Sequence, residues 1–258
     1  MVDDYTGIRI AKEIGFDAYD LFPGRELVVK DAKFFRETFA KTSMLPSALT
    51  LVGSALTDFN IPVRKSTLEW INGQMQIAGD IGCEMIVLAL GGYEWEGKEI
   101  KPELQWGWAV ENVRELGDRA KDNGMKVAIE MNPYQLYIVH SLDTVLKFVR
   151  EVDNPSVGVN ADVSHMHLSK DPPERLKELG SRIIHVHLSD NNGIVHGDLP
   201  PGRGTAPLRD YLRVLKEMGF DGTATIELEF SPDPERIREW VKESYDVTAG
   251  MMKELGVR

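Results

Sequence analysis

Four side chains suited to a divalent cation stand near the ends of apolar runs in the second half of the chain. They are Glu130 in Lys-Val-Ala-Ile-Glu-Met-Asn, Asp162 in Val-Gly-Val-Asn-Ala-Asp-Val-Ser-His, His187 in Ile-Ile-His-Val-His-Leu-Ser-Asp, and Glu227 in Thr-Ala-Thr-Ile-Glu-Leu-Glu. All six histidines fall in that half as well. Three carboxylates and one imidazole form an oxygen-rich set that suits Mn²⁺ first, with Mg²⁺, Co²⁺ or Zn²⁺ as alternatives. Glu130 and Glu227 are far apart in sequence, so only a fold that gathers strand ends can unite them. A parallel barrel does so, because its active sites form where the C-terminal ends of the strands converge.

The elements that must position these residues follow from periodicity. Short apolar or β-branched runs predict strands at 16–22, 45–53, 84–91, 126–132, 157–163, 183–189 and 223–229. Amphipathic stretches predict helices at 6–14, 31–42, 62–81, 102–123, 141–151, 172–179, 207–218 and 233–255. Strands alternating with helices imply parallel pairing through right-handed crossovers. Ser141-Leu-Asp-Thr reads as a helix cap, and Asn123-Gly124 and Gly219 read as helix stops before the Glu130 and Glu227 strands. The expected fold is α/β, a (β/α)8 barrel filling residues 1–258 as one domain, with its first strand missing. Only five residues precede the first helical pattern, too few for a strand and its loop. An open strand edge invites pairing or covering, so a homo-oligomer is expected.

Alternation along a strand sorts the polar residues to one face. Ala128, Glu130 and Asn132 oppose Val127, Ile129 and Met131. Gly158, Asn160 and Asp162 oppose Val159, Ala161 and Val163. His185 and His187 oppose Ile184, Val186 and Leu188, while Thr225, Glu227 and Glu229 oppose Ile226, Leu228 and Phe230. The apolar faces can meet the helix ring, leaving the polar faces inside the barrel, where they are costly unless paired or bound to metal. One such residue is ordinarily a satisfied core group. Four consecutive strands repeating the pattern point to a site.

Other residues are candidates for its rim. His165, three residues after Asp162 in the loop past that strand, is placed to donate to a substrate hydroxyl. His140 and His196 lie in predicted loops that can line the mouth, while His167 and His185 read as structural. Leu199-Pro-Pro-Gly-Arg-Gly-Thr205 is a glycine-rich turn that lets backbone approach a ligand, with Arg203 offering a fork of donors, or it is a plain connection. Trp95 in Gly-Gly-Tyr-Glu-Trp either stacks on a substrate ring or packs on a helix. Cys83 reads as a small buried apolar residue.

Composition limits the function classes. A net charge of −11 argues against neutralising nucleic-acid phosphates. No apolar run is long enough to span a bilayer and no signal peptide opens the chain, so no membrane partner is expected. A single cysteine forbids an internal disulfide and fits a reducing, cytoplasmic setting. There is no Gly-x-Ser-x-Gly, no Gly-Lys-Ser/Thr phosphate loop, and no strand followed by Gly-x-Gly-x-x-Gly.

At these residues the chain resembles the xylose isomerase-like barrel superfamily, in particular the sugar-phosphate isomerase and epimerase branch with its ketose 3-epimerases, hydroxypyruvate isomerases and inosose dehydratases. The matching pieces are the Glu130 strand, Asp162-x-x-His165, His185-Val-His187 with Asp190-Asn, the Pro-Gly-x-Gly turn at 201–204, and Gly219-Phe-Asp-Gly followed by Glu227. The resemblance implies one divalent ion per chain held by Glu130, Asp162, His187 and Glu227, a small sugar or polyol substrate, and an enediolate route. Glu130 and Glu227 would be the acid/base pair, with His165, Arg203, His140 and Trp95 toward the substrate. Two departures stand out. The first strand is absent, and the arginine that ketose 3-epimerases place six residues after the metal histidine is Gly193. A related lyase, of the inosose dehydratase or C-glycoside deglycosidase subunit type, is the alternative, and a non-catalytic sugar-binding relative is another. The type IV AP endonucleases are the remote one. Their zinc cluster needs histidines on early strands and an Asp-x-His pair where this chain reads His196-Gly-Asp198, and no histidine precedes His140.

Overall fold

Alternating apolar runs and amphipathic stretches become strands and helices in turn. The computed structural model describes residues 4–22, 26–52, 55–93, 99–229 and 234–257. The strands are β1 (Ala18–Leu21), β2 (Leu45–Leu51), β3 (Met85–Ala89), β4 (Lys126–Glu130), β5 (Val157–Asp162), β6 (Ile183–Leu188) and β7 (Ala224–Ile226). All pair in parallel with their sequence neighbours, in the order β1-β2-β3-β4-β5-β6-β7. The sheet curls until β7 touches β1. Among the described residues no strand pairs with the outer edge of either. The expected barrel is present, nearly closed, with seven strands.

Burial explains this layout. The middle strands β3 and β5 are buried along their whole length, as parallel strands covered on both faces must be. The edge strand β7 is only half-buried. Outward residues such as Ile86, Leu88, Val127, Ile129, Val159 and Val186 pack on buried positions of the helix ring. That ring is α1 (Asp4–Ile14), α2 (Val29–Thr42), α3 (Ile61–Ile81), α4 (Pro102–Asp122), α5 (Leu142–Val152), α8 (Leu208–Glu217) and α9 (Ile237–Glu254). Two short helices, α6 (Val163–Leu168) and α7 (Leu176–Leu179), sit in the β5–β6 connection. Each fully buried aliphatic side chain in this layer contributes roughly 1.5–3 kcal/mol. The helix punctuation is as expected: Ser141 caps α5 by accepting from the Thr144 amide, and Gly124 and Gly219 sit at φ +67° and +71° after α4 and α8.

Inside the barrel, a small apolar plug of Ala48, Met85, Val87 and Ala128 fills the end opposite the polar residues, with Ile184 packed against it. Strand alternation places Ile184 on the outer face. The structure turns it inward, because Val159 pairs with Ile183 and Asn160 already with His185, leaving Ile184 as the extra residue of a β-bulge. A second correction concerns His165, which lies in α6 and not in a loop. Above the plug, register does the positioning. Glu130 pairs with Asn160, Asp162 with His187, and the Glu227 amide donates to the Leu188 carbonyl. The four candidate ligands therefore meet at the C-terminal mouth.

No helix among the described residues is long and apolar enough to cross a membrane.

Two glycines give opposite expectations. A Cβ on Gly158 would lie 2.8 Å from the Arg182 carbonyl oxygen and from Ile184 Cγ1, at the bulge. Gly158→Ala should therefore destabilise by about 1–3 kcal/mol through overpacking. Gly107 in α4 has nothing within 4 Å of such a Cβ. Gly107→Ala should stabilise by about 0.5–1 kcal/mol. Denaturant unfolding of both variants checks this; equal effects would contradict it.

Candidate metal centre

Glu130, Asp162, His187 and Glu227 come from the ends of four neighbouring strands, and each offers a ligand atom within 4.8 Å of the others. His187 Nδ1 stands 2.9 Å from Glu130 Oε1 and 3.0 Å from Glu227 Oε2. Ligands bound at about 2.0–2.2 Å around one cation lie about 3 Å from their neighbours, so this spacing already fits. Asp162 and His187 side chains are essentially buried, Glu130 is 8% exposed, and Glu227 is 23% exposed, so Glu227 is the member open to the mouth.

The polar accounting also fits a cation. Asp162 Oδ1 accepts the His165 amide at the start of α6, while Asp162 Oδ2 is buried without a hydrogen bond. Both nitrogens of His187 are buried and have close oxygens but no hydrogen bond of good geometry. Glu130 Oε1 takes the Asn160 amide at 2.7 Å, which fixes its carboxylate. Among the described residues no lysine or arginine pairs with any of the four. Buried, unpaired carboxylates are expensive, and an ion in their midst removes that cost.

Charge crowding perturbs Asp162, Glu130 and His187 in readable directions. Burial pushes the Asp162 carboxyl up, against the pull of His165 and with the help of Glu227 and Glu130, to about 7. Burial works against Glu130 as well, yet His187, His165 and the Asn160 amide hold it below the usual range. Burial disfavours charge on His187, but Glu227, Asp20 and Glu130 together raise it well above a free imidazole. An imidazole surrounded by anions asks for a positive charge, either a proton or a metal.

A second group lies beside the first. His165, buried in α6, donates from Nδ1 to the Met131 carbonyl at 2.6 Å, since that oxygen can only accept. Its Nε2 is 2.9 Å from His196 Nε2, which is also 2.9 Å from Asp198 Oδ2. Glu229 closes the group with His196 and Asp198. Ser189 and Ser164 hydroxyls reach Asp198 Oδ1, and Asn191 ties back to Ser164 in α6. His165 and His196 thus form a hydrogen-bonded pair next to the metal ligands, with Asp198 close behind His196.

The glycine-rich turn has a different partner from the one its sequence suggests. Asp190 accepts the amides of Gly202 and Gly204 at Oδ2 and of Asn191 and Ala206 at Oδ1, all at 2.8–3.0 Å. A Cβ on Gly204 would collide with Asp190 Oδ1 and the Asn191 carbonyl. The turn wraps this carboxylate; Gly204 is needed for that approach, and Gly202 for its φ of +92°. Arg203 is turned to Glu243 in α9, at 2.8 and 2.6 Å, with its guanidinium over Trp240. His140 donates from Nδ1 to the Tyr137 carbonyl within the β4–α5 connection. Neither is drawn into the cluster. Trp95 lies outside the described residues. His167 contacts Thr205, and Cys83 is buried with its thiol pushed up to about 12, first by burial and then by Asp20, consistent with an inert core residue.

Three residues of this centre escape sequence reasoning. Asp198 carries only the His196-Gly-Asp198 spacing as a signal, and Glu229 only the strand face it shares with Glu227. Asp20, in Ala-Tyr-Asp-Leu, has only one signal, a lone acid in an otherwise apolar strand. It lies 2.7 Å from His185 Nε2 and 3.3 Å from His187 Nε2.

Comparison with known proteins agrees with the fold. A family model described as xylose isomerase-like TIM barrel matches residues 8–249. The chain is 26% identical over 239 residues to a fructoselysine 3-epimerase of Escherichia coli O157:H7, covering 85% of this chain and 83% of the relative. It is 29% identical over 190 residues to an inosose isomerase of Bacillus subtilis strain 168, covering 70% and 67%. Among solved structures, one described as IOLI protein with a binding zinc atom superposes with TM-score 0.85 at 23% identity, over 98% of this chain and 94% of that one.

The Asp162 shift has a testable sign. Its folded-state value of about 7 lies above the ordinary carboxylate value of about 3.9. The contribution to stability is therefore fully present below the ordinary range and is lost as pH rises toward 7. In metal-free protein, Asp162→Asn should gain stability relative to wild type as pH rises from about 4 to about 7. Thermal melting of both proteins across that window checks this; a difference that does not change with pH would contradict it.

Proposed function

The chain belongs to the xylose isomerase-like TIM barrel family, and from that premise we propose that it is a divalent-metal-dependent epimerase or isomerase of small ketoses or keto-polyols. The observation that carries the reading is the set of two glutamates, Glu130 and Glu227, brought from β4 and the end of β7 to within 3.0 Å of His187 Nδ1. The names of the relatives, an epimerase and an isomerase, support the same chemistry. Mn²⁺ is the ion proposed for Glu130, Asp162, His187 and Glu227, with Mg²⁺, Co²⁺ or Zn²⁺ as alternatives. When bound, a divalent cation supplies Lewis acidity that stabilises negative charge on the substrate's oxygens.

The protein's own residues supply the proton traffic. A carboxylate of the pair removes the proton from the carbon beside the carbonyl, and the other returns one. Return to the opposite face of the same carbon inverts it, and return to the neighbouring carbon moves the carbonyl. Glu227, the more exposed of the two, meets substrate arriving from the mouth. Glu130 is held from below by Asn160. His165 lies beside Asp162 with its Nδ1 held by the Met131 carbonyl, and its Nε2 would exchange the His196 contact for a substrate hydroxyl.

The reading is tested by turnover of ketoses and inososes with added Mn²⁺. Glu130→Gln and Glu227→Gln keep shape but remove charge and basicity. Each should cut turnover by about 10²–10⁴-fold at saturating Mn²⁺, and exchange of the substrate's carbon-bound proton with deuterated solvent should fall in step. Near-normal turnover in both variants would overturn the two-glutamate scheme. Loss of water from the substrate, with no epimer or isomer formed, would replace it with the lyase reading.

A further inference from the structure

The metal reading uses one nitrogen of His187, and the structure places a carboxylate from the first strand 3.3 Å from the other. Asp20, on β1, faces the β6 histidines across the place where the barrel nearly closes. Its Oδ2 accepts from His185 Nε2 at 2.7 Å and lies 3.3 Å from His187 Nε2. Its Oδ1 takes the Ser47 hydroxyl from β2. Ser47 falls where β2 carries an irregularity in its pairing with β1, between the Tyr19–Pro46 and Leu21–Leu49 pairs. The Asp20 side chain is only 8% exposed, and among the described residues its contacts are these two imidazoles and one hydroxyl, with no lysine or arginine.

An ionised carboxylate can only accept hydrogen bonds, and Asp20 Oδ2 already takes one from His185 Nε2 at 2.7 Å. Each Nε2 that faces it is therefore best satisfied carrying its proton. A neutral imidazole protonated on Nε2 has its lone pair on Nδ1. Nδ1 is the His187 nitrogen that stands 2.9 and 3.0 Å from Glu130 and Glu227, where the cation would sit. The opposite tautomer would aim a lone pair at Asp20 and an N–H at the metal position. The buried carboxylate thus selects between two rings that differ only in the place of one proton. A partner of this kind typically changes metal affinity by about 10–100-fold.

We propose that Asp20 is a positioning residue for the metal site: it accepts the His187 Nε2 proton and so presents Nδ1 to the metal, while His185 and Ser47 hold the Asp20 carboxylate in place. The inference rests on the metal reading of Glu130, Asp162, His187 and Glu227.

The test uses the full chain with ¹⁵N-labelled histidine and Zn²⁺ as a diamagnetic probe. In the wild type, the His187 signals should show a protonated Nε2 and a metal-shifted, unprotonated Nδ1. Asp20→Asn removes the charge at nearly constant shape, and it should weaken Zn²⁺ binding by about 10–100-fold in competition with a chromophoric chelator. A His187 bound through Nε2, or Asp20→Asn binding Zn²⁺ as tightly as wild type, would overturn the proposal. If Asp20→Asn fails to fold, the wild-type spectrum alone decides. Asp162→Asn serves as the control for the site itself. Should it bind Zn²⁺ as wild type does, the metal reading fails and Asp20's role falls with it; should it weaken binding while Asp20→Asn does not, only the Asp20 proposal is lost.

Discussion

Four ionisable side chains that share a largely buried barrel mouth must be compensated, and that requirement organises much of the surrounding structure. Glu130, Asp162 and Glu227 put three carboxylates around one imidazole, with no lysine or arginine paired to them among the described residues. Such a group is tolerable only if hydrogen bonds hold it and a positive charge enters it. Two hydrogen bonds are visible, Asn160 on Glu130 and the α6 amide on Asp162, and Asp20 stands 3.3 Å behind His187. Each comes from a different strand or helix, so the barrel register and the site are a single construction. The apolar plug of Ala48, Met85, Val87, Ala128 and Ile184 closes the opposite end and leaves the polar layer open to the mouth.

A large part of this is legible in the sequence, and the reason is periodicity. Seven strands and the long helices carry patterns that local sequence sets by itself. The four ligands announce themselves because a charged residue ending an apolar strand conflicts with burial, and the conflict recurs on four consecutive strands. His165 is legible as a neighbour of Asp162 through its spacing alone.

What the sequence hides is set by contacts between distant segments. Nothing in Ile183-Ile-His-Val-His signals the bulge, because it arises from pairing with β5, and it moves Ile184 from the outer face to the plug. Val163–Leu168 is too short for a helical pattern to emerge from six residues. Its start is set by the Asp162 carboxylate and its position by the Asn191–Ser164 contacts. The Pro-Gly-Arg-Gly turn invites a ligand-binding interpretation, yet Gly204 is needed for close approach to Asp190. Asp20 is separated from His185 by most of the chain, and only barrel closure makes them neighbours.

The most direct measurement is anomalous diffraction from crystals of the full chain grown with Mn²⁺. One strong peak per chain is expected, at about 2.0–2.3 Å from oxygens of Glu130, Asp162 and Glu227 and from His187 Nδ1. A site left empty at saturating Mn²⁺, an ion held without these four residues, or three ions per chain spread over His165, His196 and Asp198 as well, would contradict a single-metal centre.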